Sequence, residues 1–390
     1  MNDADRQDQT DKGFSRRELL QRGLVGGLGL AALGSLSLGD VAGAFAASDA
    51  AATGNMKALI AAAKKEGHIN TIALPRDWAN YGEVLDTFKS QYGISESDTI
   101  PLGSSAQEIA AIKSQKGTNR SPDVVDVSPS YAIEGKNDGL FIKYKVATWS
   151  TIPKNMKDPN GNWYGDYWGV MSFVSLNSQV KNPPTDWSDL LKPEYKGQVA
   201  LGGVPTDSGE ALGAVFGAAL AHGGSLDNIQ PGIDFFVKLK AAGNWNPTLG
   251  NEVANIAKGV TPLVIRWDYL NLANRDEIVK GGQAATVTIP KTGRYGGFYC
   301  QAISRFGPNP HAAKLWMEFL YSDVGQLLFL KGYTHPARYA DLAKRGKIPA
   351  SLAKKLPPAS SYKGVHFATN AQVTKAQALL TKQWTAKMGS

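Results

Sequence analysis

Between Met56 and Val127 the chain alternates a helical and an extended hydrophobic period, and this alternation limits the available folds more than any other feature. Met56, Leu59, Ile60 and Ala63 recur at helical spacing, with Gly67 placed to stop the helix. Ile69 to Leu74 reads as a strand, followed by the loop Pro75-Arg76-Asp77-Trp78. Val84, Leu85 and Phe88 form a second helix face. Ser105-Ala106-Gln107-Glu108 has capping-box spacing and opens a helix through Ile109 and Ile112 towards Lys116-Gly117. Val124 to Val127 is a short buried strand. Such an order predicts an α/β layer with a mostly parallel sheet.

Further on the chain changes character, and no internal repeat is visible. Val170 to Leu176 reads as extended, Leu190-Leu191 as a short helix, and Val199 to Leu201 as a strand. Thr206-Asp207-Ser208-Gly209-Glu210 starts an Ala- and Gly-rich helix over 211–221, and Ile233–Leu239 and Asn251–Ala257 are helical. Pro262 to Trp267 is a buried strand, while Thr286–Ile289 and Phe298–Ile303 are extended. Asn309 and Pro310 open a helix that carries Leu315, Trp316, Phe319 and Leu320 on one face. The chain is therefore expected to build one lobe, cross to a second and return. Crossings are expected near Tyr167–Val174 and Ile289–Cys300. A cleft lies between lobes so joined, and hinge closure is its usual motion.

Residues 1–46 read as a processing signal rather than as part of the fold. Arg16 and Arg17 precede the weakly apolar, Gly-rich stretch Leu24 to Leu38, and Ala44-Phe45-Ala46 offers a small-residue cleavage site. The paired arginines resemble a twin-arginine signal, although Leu19 stands where that pattern often has Phe. Export to the periplasm, with the signal removed, is expected. The whole chain has 42 Lys and Arg against 34 Asp and Glu. The basic residues are scattered, so the charge points to no nucleic-acid partner. A lone Cys300 excludes an internal disulfide and a multi-cysteine zinc site.

Several motifs then point to a family. They are Trp168-Gly169-Val170, Trp187-Ser188-Asp189-Leu190-Leu191-Lys192-Pro193-Glu194-Tyr195-Lys196-Gly197, Thr206-Asp207-Ser208-Gly209, Ile265-Arg266-Trp267-Asp268-Tyr269, and Pro308-Asn309-Pro310-His311-Ala312-Ala313-Lys314. Leu320-Tyr321-Ser322-Asp323-Val324-Gly325-Gln326 completes them. In this order, over residues 55–345, they resemble a type II periplasmic solute-binding protein of an ABC importer, in the branch handling iron, polyamines, thiamine and phosphonates. The resemblance implies an α/β, two-lobed type II periplasmic-binding-protein fold with a mixed sheet in each lobe and hinge strands between. One lobe is expected over 55–168 and 296–390, the other over 169–295. The resemblance also implies a binding protein rather than an enzyme, a monomer without a cofactor. Its partners would be a small-molecule solute and the permease and ATPase subunits of the importer. No GxxxxGK[ST] loop occurs, so ATP work would fall to a partner.

Candidate ligand contacts follow from residue chemistry. Ser104 and Ser105 in the first lobe, and Thr206, Ser208 and Gly209 in the second, open helices whose free N–H groups suit an anion; plain capping explains the same residues. Asp207 would oppose an anion unless it turns away. Arg76-Asp77-Trp78 and Arg266-Trp267-Asp268 each combine a cation, a carboxylate and an indole. Arginine clamps an oxyanion, and carboxylate and indole hold an ammonium. The set suits a ligand of both signs, an organophosphonate or zwitterionic amine; internal Arg–Asp pairs and core tryptophans are the alternative. Trp163, Tyr164, Tyr167 and Trp168 could line the cleft or pack the hinge, and Arg294, Tyr295 and Tyr299 rank below them. Polyamine, thiamine and ferric ion are the alternative ligands. Iron fits less well because the sequence has no Tyr-Tyr pair and its five histidines show no i,i+4 spacing. A secreted enzyme on the same fold would need a reactive cysteine or acid, and Cys300 sits in an apolar strand.

Overall fold

The structure, a computed structural model, describes residues 53–389; residues 1–46, expected to be a processing signal, lie outside the described residues. The first described helix, α1 (Thr53–Glu66), leads through Gly67 at φ +69° into β1 (His68–Ile72). α2 (Tyr81–Tyr92) buries Val84, Leu85 and Phe88 and ends at Gly93 in the left-handed region. β2 (Ser95–Thr99) lies parallel to β1. α3 (Ser105–Ser114), β3 (Val124–Val127) and α4 (Pro129–Asn137) follow. β1 is tied to β3 by the Asp123 N–H on Asn70 O at 2.8 Å and the Asn70 N–H on Asp123 Oδ2 at 2.7 Å.

β4 (Tyr164–Leu176) is 13 residues long and almost wholly buried. β5 (Val199–Leu201), α5 (Gly209–Ala221), α6 (Gln230–Ala241), α7 (Val253–Ala257), β6 (Leu263–Trp267), α8 (Asp268–Lys280) and β7 (Ala285–Thr288) come next. β8 (Tyr295–Ile303) returns beside β4 and β3. α9 (Pro310–Leu320), α10 (Asp323–Lys331), β9 (His335–Pro336), α11 (Tyr339–Lys344), α12 (Ala350–Ala353), β10 (His366–Phe367) and α13 (Asn370–Met388) complete the described chain.

β4 serves two groups of strands. Its first half, to Val170, pairs with β8 and β9; its second half, from Met171, pairs with β6, and Phe173 to Leu176 also pair with β7. All four of these pairings are antiparallel, as is β3 with β8. Among the described residues, parallel pairing between strands is confined to β1–β2, β5–β6 and β8–β10. The expectation of a mostly parallel sheet is therefore corrected to a mixed one. The βαβ alternation that suggested it holds over residues 68–99. Beyond Tyr164 the strands assemble on β4, and its neighbours run back against it.

One further correction concerns a helix start. The capping box lies one residue earlier than expected: Ser104 Oγ accepts the Gln107 N–H, and Gln107 Oε1 accepts the Ser104 N–H. Ser-x-x-Gln and Ser-x-x-Glu overlap here, and the first frees Glu108 for another partner. Asn309 and Pro310 take the N-cap and first positions of α9 as expected, with the Asn309 side chain donating to Asp123 Oδ2 at 2.9 Å instead of to the helix start. Among the described residues no helix is long and apolar enough to cross a membrane.

Candidate functional site

The loops that leave the carboxyl ends of β1, β2, β5 and β6 surround a cavity of about 510 Å³. This is where open α/β sheets place ligands. Two helices begin at it. Ser104 caps α3, and Ser208 caps α5 by accepting the Ala211 N–H at 3.3 Å. The first-turn N–H groups of Ser105 and Ala106, and of Gly209 and Glu210, have no intrahelical acceptor. Both helix starts thus bring donors and positive dipole ends to the cavity wall. A Cβ on Gly209 would stand 2.7 Å from Ser128 Cβ, so only glycine lets the start of α5 approach the end of β3 this closely.

One part of the wall is electrostatically complete. Arg266, near the end of β6, donates from Nε to Glu210 Oε1 at 2.9 Å and from Nη2 to Glu210 Oε2 at 3.4 Å. Nη1 donates to Asn251 O at 3.3 Å. Both charged side chains are buried, at 6% and 3% side-chain exposure, so the fork-to-fork pair replaces their hydration. Gly202 leaves room for it, since a Cβ there would meet Glu210 Oε2 at 2.5 Å.

The opposite part of the wall has acid without base. Glu108 is buried and accepts the Asp126 N–H at 2.9 Å. Asp126 accepts the hydroxyls of Tyr81 at 2.8 Å and Tyr167 at 3.0 Å on one oxygen. Burial pushes the Glu108 carboxyl well above its usual range, and the Asp126 charge adds to this. Burial likewise raises Asp126. Trp78 completes this side: its indole N–H donates to Tyr167 Oη at 2.7 Å, its ring meets Tyr299 edge-on at 5.4 Å, and the Arg266 guanidinium lies 5.8 Å from its ring centre.

Of the residues singled out from the sequence, Asp77, Trp78, Ser104, Ser105, Ser208, Gly209 and Arg266 line this one cavity, and so does Asp207. The other four do not line it. Arg76 is exposed and paired with Asp86 at 2.5 Å. Thr206 gives its carbonyl to Gln377 of α13. Trp267 is buried beside a separate void of about 30 Å³. Asp268 is buried in the fold, accepting the Val170 N–H at 2.9 Å and the Tyr362 hydroxyl at 2.7 Å. Among the aromatics, Tyr299 lines the cavity and Tyr167 reaches Asp126. Trp168 stacks on His335 at 4.2 Å, Tyr295 stacks on Phe216 at 4.7 Å, and Tyr164 is buried. Trp163 lines a different groove, and Arg294 donates to Pro290 O and Lys363 O.

Sequence reasoning missed Glu108, Asp126, Glu210, Asn251 and Asn274, all of which line the cavity. A signal existed for Asp126, a carboxyl inside the apolar run Val124–Val127. Glu108 was absorbed into a capping box that the structure places one residue earlier. For Glu210 the signal was its position just after a helix cap, where a carboxylate is common anyway. Cys300 is a buried thiol in β8.

Solved structures share this fold at low identity. The periplasmic binding protein AfuA from Actinobacillus pleuropneumoniae, with fructose-6-phosphate bound, is 19% identical at a TM-score of 0.65, over 82% of this chain and 98% of that one. An ABC transporter substrate-binding protein from Bradyrhizobium japonicum USDA 110 is 15% identical at a TM-score of 0.65, over 83% and 99%. Iron-bound HitA from Pseudomonas aeruginosa is 19% identical at a TM-score of 0.60, over 80% and 97%. These likenesses establish the two-lobed periplasmic-binding-protein fold. No curated protein sequence matches the chain. The family model for bacterial extracellular solute-binding proteins, a family of binding proteins rather than enzymes, matches residues 119–367. With more than half of its length matched, this chain belongs to the bacterial extracellular solute-binding proteins.

Proposed function

We propose that the protein is the substrate-binding component of an ABC transporter, and that its cavity takes a small zwitterionic amine, with an aminophosphonate as the leading candidate. The observation that carries the ligand class is the division of charge within the cavity. Glu108 and Asp126 are buried carboxyls with no cation among their hydrogen-bond partners, which suits an ammonium group beside Trp78. The open helix starts at Ser105 and Gly209 suit an oxyanion. Arg266 adds less than the sequence suggested. Of its five N–H groups, two are on Glu210 and one on Asn251 O.

In this reading residues 55–168 and 296–390 form one lobe and 169–295 the other, with β4 and β8 as crossings that allow closure. α13 would then touch both, since it packs on α4 and α6. Its hydrogen bonds run to Thr206, Asp227 and Gln230. Capture would take place outside the cytoplasm, with transfer to permease and ATPase subunits. A polyamine is the second reading. Five carboxyls line the cavity (Asp77, Glu108, Asp126, Asp207 and Glu210) against the single guanidinium of Arg266.

A thermal-shift panel tests the choice, because a ligand of the folded state raises stability by mass action. It compares 2-aminoethylphosphonate, ethylphosphonate, 1,4-diaminobutane, thiamine, amino acids and a ferric salt. The aminophosphonate should stabilise more than the phosphonate without an amine. Stronger stabilisation by diaminobutane would select the polyamine reading, and a response to the ferric salt alone would overturn both.

A further inference from the structure

Asp126 differs from the other carboxyls at the cavity. It is 5% exposed, and its Oδ1 has no hydrogen-bond partner in the protein. A buried acceptor left unpaired is uncommon and costly, and at a cavity wall it marks a place where a donor belongs.

Counting hydrogens around its other oxygen adds a second observation. The Tyr81 hydroxyl carries one hydrogen, yet two carboxyl oxygens face it: Asp126 Oδ2 at 2.8 Å and Asp166 Oδ2 at 3.1 Å. Gln301 Nε2 donates to the same hydroxyl at 2.8 Å and to Asp166 Oδ2 at 3.2 Å. Once Tyr81 gives its hydrogen to Asp126, Asp166 Oδ2 meets the Tyr81 oxygen with nothing between them. A proton held by the two carboxyls removes that clash.

The surroundings agree. Facing the pair are Tyr81 from α2, Glu108 from α3, Tyr167 from β4, Tyr269 from α8, Tyr299, Cys300 and Gln301 from β8, and Tyr321 after α9. None is a lysine, arginine or histidine. Burial raises both carboxyls, and the charge of Asp126 raises Asp166 further. Two buried carboxylates without a cation do not both ionise, so their titration belongs to the pair.

We infer that Asp126 is the acceptor for the ligand's ammonium group, and that the ammonium takes the place of the proton shared by Asp126 and Asp166. The exchange balances: one cation enters, one proton leaves to solvent, and the pair with its bound ammonium keeps the net charge that the pair had with its proton. Affinity for an amine should then fall about tenfold per pH unit below the pair's titration and level off above it. This rests on the reading that the cavity takes an amine.

The test uses methylammonium chloride, the ammonium group alone, against sodium chloride at equal ionic strength. At about 200 mM it should raise the melting temperature by about 1–3 °C near pH 8, with the gain gone near pH 5. Asp126→Asn should abolish the gain. Asp166→Asn should keep it and move its loss to lower pH, because the competing proton has no second carboxyl to share and only the burial of Asp126 still favours it. Equal gains in wild type and Asp126→Asn would overturn the inference, as would an equal gain at both pH values. Should Asp126→Asn fail to fold, Asp166→Asn decides alone, and an unchanged pH dependence in it overturns the exchange. The underlying reading fails separately. If methylammonium acts through Asp126 while 2-aminoethylphosphonate is no better, the zwitterion is wrong and Asp126 stands. Tight aminophosphonate binding that ignores Asp126→Asn is the reverse case.

Discussion

Glu210 and Asp126 are buried carboxyls on the wall of the same cavity, 2% and 5% exposed, and the fold treats them in opposite ways. Glu210 holds a guanidinium with both oxygens and is electrostatically finished before any ligand arrives. Asp126 holds two neutral hydroxyls on one oxygen and nothing on the other. Equal burial thus gives a scaffold part in one case and an incomplete site in the other. The difference teaches that partner, more than exposure, separates structural from functional carboxyls. Asp268 lies between them: fully buried, it is satisfied by neutral donors alone, from Val170 and Tyr362.

Substitutions can break this contrast. The largest effect is expected from Glu210→Gln, which strands Arg266 in the interior. Unfolding by denaturant should show a loss of about 3–5 kcal/mol, and a loss below 1 kcal/mol would mean that the pair is not the scaffold it is taken to be. Asp268 comes next. Burial raises its carboxyl to about 6, so the folded chain binds the proton more tightly than the unfolded one. Its contribution is complete below the unfolded value near 4 and is lost as the pH rises through about 6, a swing of about 3 kcal/mol. Against Asp268→Asn, wild-type stability should fall across that window, and parallel pH curves would refute the assignment. Asp126→Asn should act opposite to Glu210→Gln, raising stability by about 1–3 kcal/mol near pH 8 and losing that advantage as the pH falls through about 7 towards 4. A loss at pH 8 would place Asp126 with the scaffold. The smallest effects belong to the two helix starts, where Ser104→Ala and Ser208→Ala should each cost about 1 kcal/mol in thermal unfolding. A marked excess at Ser104 would show that its reciprocal bond with Gln107 contributes beyond a simple cap.

Much of the fold was legible because hydrophobic period carries it. The strand Val124–Val127, the strand ending at Trp267 and the amphipathic face of α9 all declare themselves in sequence. β2 does not, since Ser95-Glu96-Ser97-Asp98-Thr99 is polar throughout and survives as a strand by pairing with β1. α13 carried a readable signal, Val373, Ala376, Leu380 and Trp384 at helical spacing, in a stretch beyond the recognisable motifs. The strand directions were misjudged because antiparallel partners of β4 come from distant parts of the chain. For the candidate site, residue type brought Trp78, the two capping serines and Arg266 to the right cavity. It did not reveal what each binds within the protein. That Arg266 is already engaged depends on Glu210, 56 residues earlier, and that Asp126 is not depends on its donors being the hydroxyls of Tyr81 and Tyr167. Such pairings are settled by three-dimensional neighbours.

The length of β4 has a consequence for how this chain tolerates change. Beyond a register shift between Gly165 and Trp168, its pairing runs on from one strand group to the next without a break, so a single added residue near Gly169 would turn every later one over. Insertions of one residue there should be ruinous and insertions of two far milder. The seam between the two groups is thus held in number by register as firmly as it is held in kind at Gly169, where a Cβ would stand 2.5 Å from the Tyr269 ring.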